Sequence, residues 1–205
     1  MPVRVKICGV TTVEDALVCA DAGADAIGLN FWTGSKRRID LSRAVEIVRV
    51  LPPSILKVGV FVNAERAAIE RAIAGVGLDA VQLHGDEIPE HCRGFAVPVI
   101  KAIRVTRGGE SPRVIAERFL VDYILLDADC GEKYGGTGLG FDWQRAAGVA
   151  TGRLFLAGGL RPENVAAAIQ VARPYGVDTA SGVECAPGRK DPARVKEFID
   201  NAKHA

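Results

Sequence analysis

At 205 residues the chain has room for one domain with a full core and lies near the lower limit for an eight-unit α/β barrel. Its 26 basic side chains against 25 acidic ones argue against a nucleic-acid or membrane-surface partner, so any basic site must be local. Cys8, Cys19, Cys92, Cys130 and Cys185 are odd in number and free of CxxC spacing. That pattern suggests neither a disulfide frame nor a metal site and fits reduced thiols in a cytoplasmic protein. No apolar leader opens the sequence and no apolar run reaches bilayer length, so a soluble protein without export is expected.

The chain begins with Val3-Arg4-Val5-Lys6-Ile7-Cys8-Gly9, a β-branched run that stops at a glycine ahead of the cap-like Thr11-Thr12. Read with period two, Val3, Val5 and Ile7 share one face, and Arg4, Lys6 and Cys8 the other. A strand covered by helices turns its apolar face outward, so Lys6 and Cys8 are expected to point into a barrel, with the thiol at its carboxyl rim.

Further strands are expected over 26–31, 57–62, 80–84, 99–103, 123–127, 153–157 and 177–180. Amphipathic stretches fall between them at 13–22, 42–51, 64–74, 89–93, 112–119, 143–147 and 163–172, and one more at 192–202 ends the chain. Eight strand–helix units without a linker predict a single (β/α)8 barrel over residues 1–205.

The same parity places Gln82 and His84 opposite Val81 and Leu83, and Gly28 and Asn30 opposite the large apolar residues of their strand. Lys101, Asp127 and Asp178 join them as candidates for one polar rim, because several buried charges are tolerable only around a shared pocket. The competing reading is that each simply ends a strand in solvent. Two glycine-bearing turns, Ala157-Gly158-Gly159-Leu160 and Ala180-Ser181-Gly182-Val183, follow the last two strands. Barrel enzymes often bind phosphate there, where glycines allow close backbone approach. Gly158, Gly159, Ser181 and Gly182 are therefore the phosphate candidates. The run Tyr134-Gly135-Gly136-Thr137-Gly138 lacks the Lys-Ser/Thr of a Walker loop and reads as a loop after the sixth strand.

These residues resemble the phosphoribosylanthranilate isomerase family over essentially the whole length. The match runs through Lys6-Ile7-Cys8-Gly9, Gly23-Ala24-Asp25-Ala26, Ser35-Lys36-Arg37, Val58-Gly59-Val60-Phe61 and Gln82-Leu83-His84-Gly85. It continues through Leu126-Asp127, Gly135-Gly136-Thr137-Gly138, Phe141-Asp142-Trp143, Ala157-Gly158-Gly159-Leu160 and Ser181-Gly182-Val183-Glu184.

The resemblance implies a cofactor-free Amadori rearrangement in tryptophan biosynthesis, converting N-(5-phosphoribosyl)anthranilate, a small phosphosugar, to its 1-deoxyribulose phosphate. It also implies Cys8 as general base, Asp127 as general acid and Arg37 as partner of the substrate carboxylate, with Lys6 and Asp178 in support. A monomer or homodimer is expected. Each role has a plainer reading: an inert packed thiol for Cys8, a cap for Asp127 or Asp129, a solvated charge for Arg37. Where many relatives carry an aromatic residue after the arginine, this chain has Arg38, which competes with Arg37 for the carboxylate. His84 is expected to be a rim or packing residue. Two rivals are a ribulose-phosphate epimerase, which would want more metal-binding histidines than His84, His91 and His204, and a non-catalytic phosphate binder.

Overall fold

A computed structural model describes residues 3–106, 109–128, 143–146, 149 and 153–205. Cys130, the cap alternative Asp129, the glycine run 134–138 and the Phe141-Asp142 part of the family match lie outside the described residues.

Eight parallel strands close into a barrel in chain order: β1 (Arg4–Cys8), β2 (Ala26–Asn30), β3 (Leu56–Phe61), β4 (Ala80–Leu83), β5 (Val99–Val105), β6 (Tyr123–Ala128), β7 (Leu154–Leu156) and β8 (Gly176–Thr179). Closure comes from β8 pairing with β1, where Lys6 stands opposite Asp178. Each expected strand is present within a few residues. The helices α1 (Val13–Asp21), α2 (Leu41–Val50), α3 (Arg66–Ala72), α4 (Pro112–Ala116), α5 (Val165–Ala172) and α6 (Pro192–Lys203) cover the outside. A short helical turn at Pro89–Cys92 stands between β4 and β5, and Trp143–Ala146 forms another among the described residues between β6 and β7.

Period two divides the buried residues into two layers. Val5, Ile7, Ile27, Leu29, Val81, Leu83 and Leu126 pack outward against the helices. Ala26, Val58, Ala80, Ile100, Ala102, Leu125 and Phe155 fill the lumen. Three aspartates fix the register at the amino ends: Asp25, Asp79 and Asp122 accept the backbone N–H of Val5, Lys57 and Val99 at 2.8, 2.9 and 2.9 Å. Each stands just before an even strand and ties down the odd strand beside it.

At the other end, Gly9 adopts φ +73 and the Thr12 hydroxyl caps α1 by accepting from Asp15 N at 3.1 Å. The cap-like character of Thr11-Thr12 is thus realised at Thr12. Beyond β8 lies an unanticipated hairpin, β9 (Glu184–Ala186) with β10 (Arg189–Lys190). Thr11 Oγ1 donates to Gly188 O at 2.6 Å and Asp15 Oδ2 accepts from Lys190 N at 3.1 Å, which seats the hairpin beside the exit of β1.

Candidate active site

The carboxyl mouth of the barrel holds a cleft lined by Cys8, Asn30, Trp32, Arg37, Gln82, His84, Asp127 and Asp178, together with Gly158, Gly159 and Ser181. Lys6 lies beneath it, fully buried, and its Nζ donates to Asp178 Oδ1 at 2.9 Å. Burial disfavours the ammonium, yet the Asp178 carboxylate and the nearby Cys8 sulfur outweigh that and hold Lys6 charged above its usual range.

Cys8 reaches the cleft at the end of β1, half-buried. Gly28 faces it from β2, where a Cβ would sit 2.7 Å from Cys8 Sγ and 3.0 Å from Lys6 Nζ, so only glycine leaves the thiol its space. Burial pushes the Cys8 thiol up; the charges of Lys6 and Lys190 pull it down, but less strongly. The charge of Lys6 is already shared with Asp178.

Asp127 enters the cleft from β6, buried, and meets His84 Nε2 at 3.2 Å through Oδ2. His84 Nδ1 lies 2.8 Å from Gln82 Nε2. The rim position expected for His84 is therefore realised, with the added feature that it touches the candidate acid.

Arg37 comes from the loop between β2 and α2. Its guanidinium is engaged by Glu184, Nε to Oε1 at 2.7 Å and Nη2 to Oε2 at 2.6 Å, while Arg38 is exposed. The solvated-charge reading of Arg37 is thereby excluded. Glu184 also accepts from Lys190 Nζ at 3.0 Å, and the same ammonium donates to Cys8 O at 2.6 Å and Ala180 O at 3.2 Å. Neither Glu184 nor Lys190 had been assigned a role from the sequence. The signal available was Glu184 itself, which closes the last family motif.

The two phosphate candidates converge. Gly158 and Gly159 take φ +86 and +69, conformations that cost any other L-residue about 1–2 kcal/mol. The Thr179 hydroxyl donates to Leu160 O at 2.7 Å and joins the β7 exit to the β8 exit. Ser181 lines the cleft, and at Gly182 beside it a Cβ would strike the Leu160 carbonyl, so the close approach of the two loops requires glycine there.

Lys101 departs from expectation. It lies on the outward face of β5 with Val99 and Ile103, and its Nζ donates to Leu83 O at 3.3 Å, Gly85 O at 2.8 Å and Glu87 Oε2 at 2.7 Å. A closed set of acceptors behind the barrel wall satisfies its charge there. Among the described residues no three His, Cys, Asp or Glu side chains gather in a way that could hold a metal.

A family model described as N-(5'phosphoribosyl)anthranilate (PRA) isomerase matches residues 5–201. The N-(5'-phosphoribosyl)anthranilate isomerase of Myxococcus xanthus (strain DK1622) is 50% identical over 209 residues, covering 99% of this chain and 97% of the relative. The crystal structure of phosphoribosyl anthranilate isomerase from Thermotoga maritima superposes with a TM-score of 0.89 at 45% identity, covering 99% of this chain and 100% of that one. A second structure is a phosphoribosyl anthranilate isomerase in complex with reduced 1-(o-carboxyphenylamino)-1-deoxyribulose 5-phosphate, at TM-score 0.84, 44% identity and coverage of 99% and 100%. The chain belongs to the N-(5'-phosphoribosyl)anthranilate isomerase family.

Proposed function

We propose that the carboxyl-end cleft is where this isomerase rearranges N-(5'-phosphoribosyl)anthranilate, with Asp127 as general acid and Cys8 as general base. Asp127 protonates the ribose ring oxygen as its bond to C1 breaks, leaving an imine. Cys8, as thiolate, removes the proton from C2, and the enolamine that forms settles to the 1-deoxyribulose ketone. The change from aldose to ketose is internal, so no external electron carrier is needed.

The observation that carries the reading is the meeting, in one cleft, of a half-buried thiol and a buried carboxyl from strands β1 and β6 with the positive-φ glycines after β7. Gly158, Gly159 and Ser181 offer backbone to the phosphate, with Gly182 holding their loops together. Arg37 takes the anthranilate carboxylate through the edge that Glu184 leaves open, and Trp32, from the same loop, lines the cleft. Lys6 and Asp178 support the floor. The functional unit is the single barrel of residues 1–205, acting in the cytoplasm as a monomer or homodimer on a small phosphosugar. Turnover of N-(5'-phosphoribosyl)anthranilate by the purified chain tests this; no turnover by the folded protein would end the reading.

A further inference from the structure

Gln82 sits on the lumen face of β4, above Ala80 of the inner core and below His84, and is fully buried. An amide nitrogen can only donate a hydrogen bond. At 2.8 Å from His84 Nδ1, Gln82 Nε2 therefore requires that ring nitrogen to be the bare acceptor. The His84 proton then sits on Nε2, which donates to Asp127 Oδ2 at 3.2 Å. A histidine tautomer is set by the hydrogen bond its other nitrogen makes, and here that bond comes from Gln82.

The other half of the amide is unused. Gln82 Oε1 is one of two buried side-chain polar atoms among the described residues without a hydrogen-bond partner, the other being Trp143 Nε1. Gln82 is also one of the residues that line the cleft, with this unpartnered acceptor buried at its floor. Buried acceptors are rarely left unsatisfied. On the isomerase reading, the substrate's phosphate and carboxylate bring acceptors only, whereas its sugar hydroxyls are donors next to the reacting carbons.

We propose that Gln82 is a positioning and substrate-binding residue, whose Nε2 locks His84 in the form that donates to Asp127 and whose Oε1 accepts from a hydroxyl of the bound sugar. The second half rests on the isomerase reading of the cleft; the first does not. A glutamate at this position would instead accept from Nδ1–H, so Nδ1 would carry a proton and the ring would no longer be held in the form protonated on Nε2 alone. A methionine would fill the space and set no tautomer.

The experiment has two arms on the full chain. Nitrogen-15 NMR of the imidazoles at neutral pH, with His84→Asn for assignment, reads the tautomer in the parent, Gln82→Met and Gln82→Glu. Expected are a proton on Nε2 alone in the parent, a protonated Nδ1 in Gln82→Glu, and a mixture of the two neutral forms in Gln82→Met. Calorimetry with the reduced 1-(o-carboxyphenylamino)-1-deoxyribulose 5-phosphate should give about 10-fold weaker binding to Gln82→Met. A proton on Nδ1 in the parent, or one spectrum for all three proteins, overturns the lock. Equal analogue affinity in parent and folded Gln82→Met overturns the Oε1 contact. Failure of the parent itself to bind the analogue sinks the isomerase reading and the hydroxyl contact together, while the free-protein spectra still decide the lock; Gln82→Glu, nearly isosteric, keeps that arm decisive if Gln82→Met does not fold.

Discussion

Arg37 and Glu184, 147 residues apart, form a two-bond fork of 2.7 and 2.6 Å that joins the loop after β2 to the start of the hairpin after β8. Lys190 donates to the same Oε1 that Arg37 Nε engages, so two cations share one anion and the cluster keeps a net positive charge. Glu184 occupies the Nε edge of the guanidinium. The Nη1 end is the edge that Glu184 leaves open, and on the reading proposed for Arg37 it is the edge that would meet the substrate carboxylate, with Glu184 aiming it.

Removing a charge-assisted hydrogen bond costs about 1.5–3 kcal/mol, equivalent to roughly a 10–150-fold loss in kcat/KM. Arg37→Ala should show that loss, and Arg38→Ala should not. With an aniline analogue in place of the anthranilate, Arg37→Ala and the parent should perform alike. A gap that persists on the analogue would assign Arg37 to something other than the carboxylate.

Glu184 also predicts a pH dependence. Burial alone would raise its carboxyl, but the hydrogen bonds and charges of Arg37 and Lys190 outweigh that and hold it below the usual glutamate value of 4.5. A depressed folded value means stabilisation present in full above 4.5 and lost as pH falls through the lower folded value. Urea unfolding of the parent and Glu184→Gln should therefore differ most near neutrality and converge below pH 4.5. A constant difference across that range would exclude the linkage.

Cys8→Ala and Asp127→Asn should each reduce turnover by roughly 10²–10⁴-fold with the fold intact, the usual scale for a positioned base or acid. With one essential acid and one essential base, kcat/KM of the parent should be bell-shaped, and because burial raises the Cys8 thiol the alkaline fall should begin at or beyond the ordinary thiol range near about 8.5. An alkaline fall well below that, unmoved in Cys8→Ala, would contradict Cys8 as the base.

Lys6 and Asp178 are a buried pair 2.9 Å apart, with side chains 1% and 8% exposed. Removing one partner of such a pair costs about 3–5 kcal/mol, because the other charge stays buried and alone. For a chain of this size, Lys6→Met or Asp178→Asn should lower Tm by roughly 10 °C. The double variant Lys6→Met/Asp178→Leu should recover part of the loss. Single variants that melt with the parent would show that the pair is hydrated or dispensable.

The two glycine loops should separate by phenotype. Gly159→Ala, at φ +69, brings a methyl into the loop proposed to hold the phosphate and should raise KM more than it lowers kcat, with weaker inhibition by inorganic phosphate. Gly182→Ala meets the Leu160 carbonyl instead and should lower Tm first. Unchanged phosphate inhibition in Gly159→Ala would remove the phosphate from that loop.

Local backbone geometry made much of this protein legible from its sequence. Side chains alternate along a strand whatever the tertiary fold, so Lys6, Cys8, Gln82 and Asp178 could be sent inward from the apolar residues beside them. The same rule failed at β5, where Val99, Ile100, Ala102 and Ile103 are apolar on both faces and nothing marks the inward one. Lys101 went outward because Glu87 and two carbonyls await it there. Partners across the closed barrel are beyond any local rule. Asp178 lies 172 residues from Lys6, Glu184 147 from Arg37, and Lys190 Nζ bonds the carbonyl of Cys8 from 182 residues away. The strand period determined which side chains face the lumen; only closure of β8 onto β1 decided which charges meet there, because that step brings the two ends of the chain within hydrogen-bond distance.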